Sequence, residues 1–207
     1  MARSETSHPI VAAGYDTIMR PADKLLGMDK QRRRTVASAT GRVLEVGFGT
    51  GLNLPYYPEV TEVVGVEPDP HMRRRATTRM RAVAPRFPVE LVPAAAEQLP
   101  FDDDAFDTVV VCLVLCTVDE PRRALQEARR VLAPDGQLLM LEHVRSERPA
   151  ITWMQHALTP VWRNIAGGCH LDRRTVALAE DVGFTFEHLW RSGSGTGMMI
   201  QGRARPT

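Results

Sequence analysis

Two helical stretches open the chain. Ile10, Val11, Tyr15 and Ile18 recur at helical spacing over 9–20 and stop before Pro21. Leu25, Leu26, Met28 and Val36 do so over 22–38, ahead of Gly41. Residues 1–8 are polar and read as a disordered lead-in. From Arg42 the pattern changes to short, nearly continuous apolar runs, which predict strands at 42–46, 62–66, 88–92, 107–115 and 137–142. Helices are predicted between them at 71–83 and 121–132, with a short helical piece near 52–56 cut off by Pro55 and Pro58. Pro121 suits a first helical turn, where an N–H would find no partner. Pro134-Asp135-Gly136 signals a turn. Strands without polar alternation are buried on both faces, so the centre predicts a mostly parallel sheet with helices on either side. Such sheets bind ligands beyond the carboxyl ends of their strands.

The last third departs from this rhythm. A helix over 151–165 carries Trp153, Met154, His156, Leu158 and Trp162, and Gly167-Gly168-Cys169 interrupts it. Asp172 is placed to cap a helix over 173–182. Strands at 184–190 and 197–203 are joined through Gly193 to Gly197, a spacing that predicts an antiparallel hairpin. The fold class expected is therefore α/β, a Rossmann-like seven-stranded sheet that is mostly parallel, with helices on both faces and a C-terminal antiparallel hairpin. A length of 207 residues suits one domain. Within it, 1–40 would form a helical lid, 41–145 a cofactor-binding core, and 146–207 the substrate-side helices and hairpin.

Chemistry concentrates at the end of the first strand. Glu45-Val46-Gly47-Phe48-Gly49-Thr50-Gly51 places three glycines two apart behind a carboxylate. Glycine admits a positive φ and lets a ligand approach bare backbone. A pyrophosphate-binding turn needs G-x-G-x-x-G. The tighter spacing with a leading acid instead suits a ligand bearing a cationic amino acid moiety, with Glu45 neutralising it and Phe48, Thr50 and Asn53 belonging to the same turn. Glu67 ends the second strand, where a carboxylate accepts hydrogen bonds from both hydroxyls of a ribose. Pro68 comes next, and Asp69 is expected to cap the following helix.

Other candidates lie downstream. Cys112 and Cys116 are four apart on a predicted strand, hence on one face, and read as small core residues. With no second cysteine pair or histidine doublet beside them, no metal site is expected. His143 stands at the tip of the fifth strand, where an imidazole could assist deprotonation of a substrate or serve structure alone. Trp153, His156, Trp162, Cys169 and His170 suit core packing singly and an apolar substrate pocket together, with aromatic faces tolerating a sulfonium cation. Tyr15 of the lid is expected to join that pocket.

The composition narrows the partners. A formal net charge of +1 gives no cause to expect nucleic acid, and Arg32-Arg33-Arg34 and Arg73-Arg74-Arg75 read as solvated helix faces. No apolar run approaches the roughly 20 residues that span a bilayer. The polar N-terminus lacks the apolar core of a secretory signal. Three cysteines, an odd number, argue against a disulfide framework and for a cytoplasmic setting.

The Glu45–Gly51 turn, Val66-Glu67-Pro68-Asp69-Pro70-His71 and Leu132-Ala133-Pro134-Asp135-Gly136 together resemble class I S-adenosylmethionine-dependent methyltransferases. Three further runs, Val109 to Cys116, Leu141-Glu142-His143-Val144 and Gly168-Cys169-His170-Leu171, are similar to the methyltransferase-like alkyl thiol S-methyltransferases. So are Trp153, Gln155, Leu158, Pro160 and Trp162 at their spacing. The resemblance implies S-adenosyl-L-methionine as cofactor, S-adenosyl-L-homocysteine as product and a small thiol as acceptor. It places Cys112 and Leu113 near the reactive end of the cofactor. It also places the adenine by the backbone of Ala96 and Glu97, although Ala95 stands where the family often has an acid. His143 or His170 would be the base, if a base is needed. Animal members carry an N-terminal membrane anchor that is not expected here. Bacterial phospholipid N-methyltransferases share the pattern and the Tyr15-Asp16 entry, so N- or O-methylation is the alternative. An NAD(P)-binding oxidoreductase lacks support from the glycine spacing and from any Tyr-x-x-x-Lys, and a non-catalytic cofactor-binding module is the remaining reading.

Overall fold

The computed structural model describes residues 27–165, 167–192 and 196–207. The stretch predicted helical at 9–20, Tyr15 and most of the Gly193–Gly197 turn lie outside the described residues. In chain order the elements are α1 (Met28–Val36), β1 (Arg42–Val46), a 3-10 turn (Leu54–Tyr56), β2 (Glu62–Val66) and α2 (Pro70–Val83). Then come β3 (Val89–Val92), β4 (Phe106–Cys112), α3 (Pro121–Val131) and β5 (Leu132–His143). The chain closes with α4 (Pro149–Ile165), α5 (Thr175–Asp181), β6 (Phe184–Ser192) and β7 (Met199–Pro206).

One seven-stranded sheet runs in the order β3-β2-β1-β4-β5-β7-β6. The first five strands in sequence pair in parallel, and β7 runs antiparallel to both β5 and β6. The expected α/β architecture is the one observed. Alternate residues of each central strand divide between two cores. Leu44, Val64, Val109 and Met140 join Leu125 of α3 and Ala179 of α5 on one face. Val43, Val63, Val110 and Leu141 join Val36 of α1 and Ala76 of α2 on the other. This two-residue period with apolar groups on both faces accounts for the unbroken apolar runs. Sheet order reverses between β1 and β4, so the crevice for a ligand opens at their carboxyl ends.

Three expectations need correcting. The apolar run predicted as one strand over 107–115 ends at Cys112, because Leu113 takes φ 60, a left-handed conformation that terminates extended pairing. Cys112 and Cys116 therefore do not share a strand face. Pro134-Asp135-Gly136 is no free turn: β5 starts at Leu132 and bulges, advancing five residues between its pairings with Phe106 and Thr108. Asp172 does not cap the following helix, whose N-cap is Arg174 without a side-chain bond. It pairs with His156 instead, Nδ1 to Oδ2 at 2.6 Å.

Candidate active site

The tip of β1 enters a turn in which Gly47, Gly49 and Gly51 have φ of 66, 56 and 77. The three glycines are needed for different reasons. A Cβ on Gly47 would stand 2.4 Å from a methyl of Val114, and one on Gly51 would stand 2.9 Å from the Phe48 ring. At Gly49 the nearest atom is the Gly47 carbonyl oxygen at 3.9 Å, so that face of the backbone is open. Phe48 is buried against Gly65 of β2, and its N–H donates to Val66 O at 2.9 Å. Arg79 of α2 donates to the Thr50 carbonyl at 2.7 Å. The turn is thus tied to β2 and α2 and left bare at Gly49.

Glu67 lies beside that bare position. One carboxylate oxygen accepts from the Gly49 N–H at 2.9 Å and the other from the Asp69 N–H at 2.9 Å. Burial pushes its carboxyl upward, and these two N–H bonds hold it back. A carboxylate has about four acceptor sites, so two remain for a ligand. Asp69 caps α2 as expected, accepting from His71 and Met72 N–H groups. Pro68 is exposed, and its carbonyl accepts from Arg73 at 2.6 Å.

Glu45 sits elsewhere in the turn's architecture. It points to the α1 side of the sheet and is buried, with Asn53 donating to one oxygen at 2.8 Å and the Tyr57 hydroxyl to the other at 2.7 Å. Arg32 of α1 donates to the Asn53 side-chain amide oxygen at 3.0 Å. Burial pushes the Glu45 carboxyl up to about 7, against the pull of Tyr57, Asn53 and Arg32. Both oxygens of Glu45 and the side chain of Asn53 are therefore engaged in holding the turn onto α1.

In the loop after β3, Ala96 packs in the core. One Glu97 oxygen accepts from the Glu120 N–H at 3.4 Å. Cys112 is buried, and burial pushes its thiol up to about 12, which leaves it inert. Leu113 still donates its N–H to Leu141 O at 2.8 Å before the chain turns away. The next three N–H groups, of Val114, Leu115 and Cys116, all donate to the fully buried carboxyl of Glu142, at 2.7, 2.9 and 3.3 Å. Sequence reasoning missed Glu142 as a structural anchor. Its signal was an acid within an otherwise apolar strand, a position that requires partners.

The loop after α4 packs onto this turn. The His170 N–H donates to Cys116 O at 2.7 Å. Arg173 donates to the carbonyl of Leu115 and, at 3.1 Å, to His170 Nδ1. An arginine only donates, so in that pair the ring nitrogen is the acceptor. The same ring nitrogen lies 3.3 Å from Cys116 O, so His170 Nδ1 faces protein groups on both sides. His143 is half-buried, with Nδ1 3.8 Å from the Cys169 sulfur. Cys116, His143 and Cys169 bring their ligating atoms within 4.8 Å of one another. The Cys169 thiol is pulled below its ordinary range, chiefly by a hydrogen bond from Cys116 and then by His143 and Trp162. Cys116 is correspondingly raised.

The five-residue wall is not one pocket. Cys169 turns inward, whereas Trp153 is 74% exposed and His156 is exposed beside Asp172. The buried face of α4 is chosen by polar anchors. Gln155 accepts from the Ser146 N–H at 2.8 Å and donates to Val144 O and Leu171 O at 3.0 and 2.6 Å. Trp162, 38% exposed, comes within hydrogen-bonding reach of Cys169.

Comparison with known proteins agrees with this geometry. A family model described as a methyltransferase domain matches residues 44–140. The thiol S-methyltransferase TMT1B of Rattus norvegicus is 35% identical over 169 residues, covering 80% of this chain and 68% of its own. The phosphatidylethanolamine N-methyltransferase of Cereibacter sphaeroides is 35% identical over 133 residues, covering 63% of this chain and 66% of that protein. The chain thus spans about two thirds of the length of either relative. Among solved structures, a SAM-dependent methyltransferase from Aquifex aeolicus matches with a TM-score of 0.66 at 18% identity, covering 97% and 99% of the two chains, a likeness of fold. The chain belongs to the class I S-adenosylmethionine-dependent methyltransferases, in the group that includes the TMT1B proteins.

Proposed function

We propose that this enzyme transfers a methyl group to the sulfur of a small thiol. The observation that carries the reading is the likeness to a thiol S-methyltransferase over 80% of the chain. S-adenosyl-L-methionine supplies a methyl group already borne on a sulfonium sulfur, so the leaving group needs no activation.

The residues present fit that donor. Gly49 leaves a backbone face open where a Cβ would intrude, and Glu67 keeps two acceptor sites beside it for the ribose hydroxyls. In this reading Gly47, Phe48, Thr50 and Gly51 shape the donor cradle. Glu45 and Asn53 brace it, Ala96 and Glu97 border the adenine, and Cys112 and Leu113 border the methyl. Residues 41–145 hold the donor cradle and 146–207 supply most of the acceptor side, where His143 at the tip of β5 joins Cys169 and Trp162. Catalysis then rests on proximity and alignment. A thiol of pKa about 8.5 is a few per cent ionised at neutral pH, so the reaction proceeds without a strong protein base.

The relative that methylates phosphatidylethanolamine carries the second reading, an amine acceptor. Incubation with methyl-labelled donor and separate panels of thiols, amines, phenols and phosphatidylethanolamine vesicles decides between them. Label is expected in thioethers. Label confined to the lipid amine overturns the thiol reading.

A further inference from the structure

We propose that Cys116, His143 and Cys169 are three ligands of a zinc ion whose open fourth position takes the sulfur of the acceptor thiol. The inference rests on the thiol reading for its substrate and on side-chain geometry for its site.

Two sulfurs and a ring nitrogen lie within 4.8 Å of one another, and the Cys169 sulfur is 3.8 Å from His143 Nδ1. Zn–S bonds of about 2.3 Å and Zn–N bonds of about 2.0 Å in a tetrahedron set ligand atoms roughly 3.5–3.8 Å apart. Side-chain adjustments of about an ångström therefore close the set. Two thiolates and an imidazole are the donor types zinc prefers, and three protein ligands with one vacancy distinguish a catalytic site from a structural one.

The ligands are positioned without help from an ion. Cys116 is held at both backbone groups, its N–H by Glu142 at 3.3 Å and its carbonyl by the His170 N–H at 2.7 Å. His143 is fixed in the sheet opposite Met199 of β7. Cys169 follows Gly167 and Gly168, whose φ of 59 and 90 turn the chain inward after α4. The site lies at the carboxyl ends of β4 and β5. Val114, two residues before Cys116, fills the space in which a Cβ on Gly47 would stand, so the cluster adjoins the donor turn.

The chemistry balances without an oxidant. The acceptor R–SH gives its proton to water as its sulfur binds the ion, since coordination deprotonates a thiol outright. A lone pair on that sulfur then forms the S–C bond to the methyl carbon. The methyl's bond to the sulfonium breaks, its electron pair staying on the donor sulfur. Two neutral thioethers result, and the methylated product is a poor ligand that leaves. Three thiolates on one Zn²⁺ leave a net charge of −1, which keeps the sulfur nucleophilic toward a cation. His143 acts here as a ligand, not as the proton acceptor anticipated from its position at a strand tip.

The test strips the 207-residue protein with a chelator and reloads it with Zn²⁺ or Co²⁺. One metal per chain is expected, and Co²⁺ should give a thiolate-to-cobalt charge-transfer band with the visible bands of a tetrahedral site. Cys116→Ser and Cys169→Ser should lose the band, while Cys112→Ser keeps it, with circular dichroism confirming that each folds. Addition of a thiol should shift the visible bands, and an amine should not. The wild-type spectrum needs no variant: absence of the charge-transfer band overturns the proposal. Full-rate thiol methylation by the stripped protein overturns it too and leaves the thiol reading standing. A cobalt spectrum indifferent to thiols, with label passing only to amines, overturns both.

Discussion

Substituting Gly49 separates the donor cradle from ordinary turn geometry. The residue sits at φ 56, and a left-handed conformation costs an L-residue about 1–2 kcal/mol. The added Cβ meets nothing closer than 3.9 Å in the free protein, so Gly49→Ala should lose that backbone amount and no more. In a domain of this size, each kcal/mol moves Tm by about 2–4 °C, so the expected fall is roughly 2–8 °C. Gly27 provides the control, with φ 68 and no atom within 4 Å of its Cβ position. Gly27→Ala should show a similar fall. The two differ only if the donor occupies the open face at Gly49. A methyl forced into a filled contact costs about 1–3 kcal/mol, which is roughly a fivefold to hundredfold loss of affinity. Calorimetric titration with S-adenosylmethionine and S-adenosylhomocysteine, beside thermal melts of both variants, reads the two effects apart. Unchanged affinity in Gly49→Ala, with a Tm shift equal to that of Gly27→Ala, would refute the placement of the donor against this turn.

Two other residues give independent tests. Glu142→Gln replaces a carboxyl that accepts from three N–H groups with an amide having one acceptor oxygen, leaving at least one buried N–H without a partner. Urea unfolding should show a loss of roughly 2–4 kcal/mol, and a loss below about 0.5 kcal/mol would mean that the carboxyl does not hold the turn after β4. Glu45 makes a pH prediction. Its unfolded carboxyl ionises near 4.5 and its folded one near 7, so between these values the folded state binds more protons. Its contribution therefore makes stability fall as pH rises from about 4.5 to 7, with no further change outside that window. Glu45→Gln removes this slope and should exceed the wild type in stability at pH 8, by up to about 3 kcal/mol, with the advantage vanishing near pH 4.5. Parallel stability curves for variant and wild type across pH 4.5–8 would contradict the burial argument.

The donor half of the enzyme was legible because its determinants are local. β1 and β2 fall at the predicted 42–46 and 62–66, since each sets three large apolar residues within five ahead of a turn. The glycine turn follows from φ requirements that lie within the motif itself. The turn after β4 and the acceptor side it borders were not legible in the same way. Val114 and Leu115 look like strand residues by composition, yet a carboxyl on the neighbouring strand draws their N–H groups out of the ladder. Trp153 and His156 share a face of α4, but Gln155 and Thr159 decide which face is buried. Cys116, His143 and Cys169 come from the loop after β4, the tip of β5 and the loop after α4, and no spacing rule links three residues so far apart. The first and the last of these share one physical cause. Glu142 pulls the β4 turn across the tip of β5, and the turn's carbonyls then dock the 169–173 loop through His170 and Arg173. The groups suited to handling an acceptor sulfur are assembled by one buried carboxyl, whose sequence signature is only that it interrupts an apolar strand.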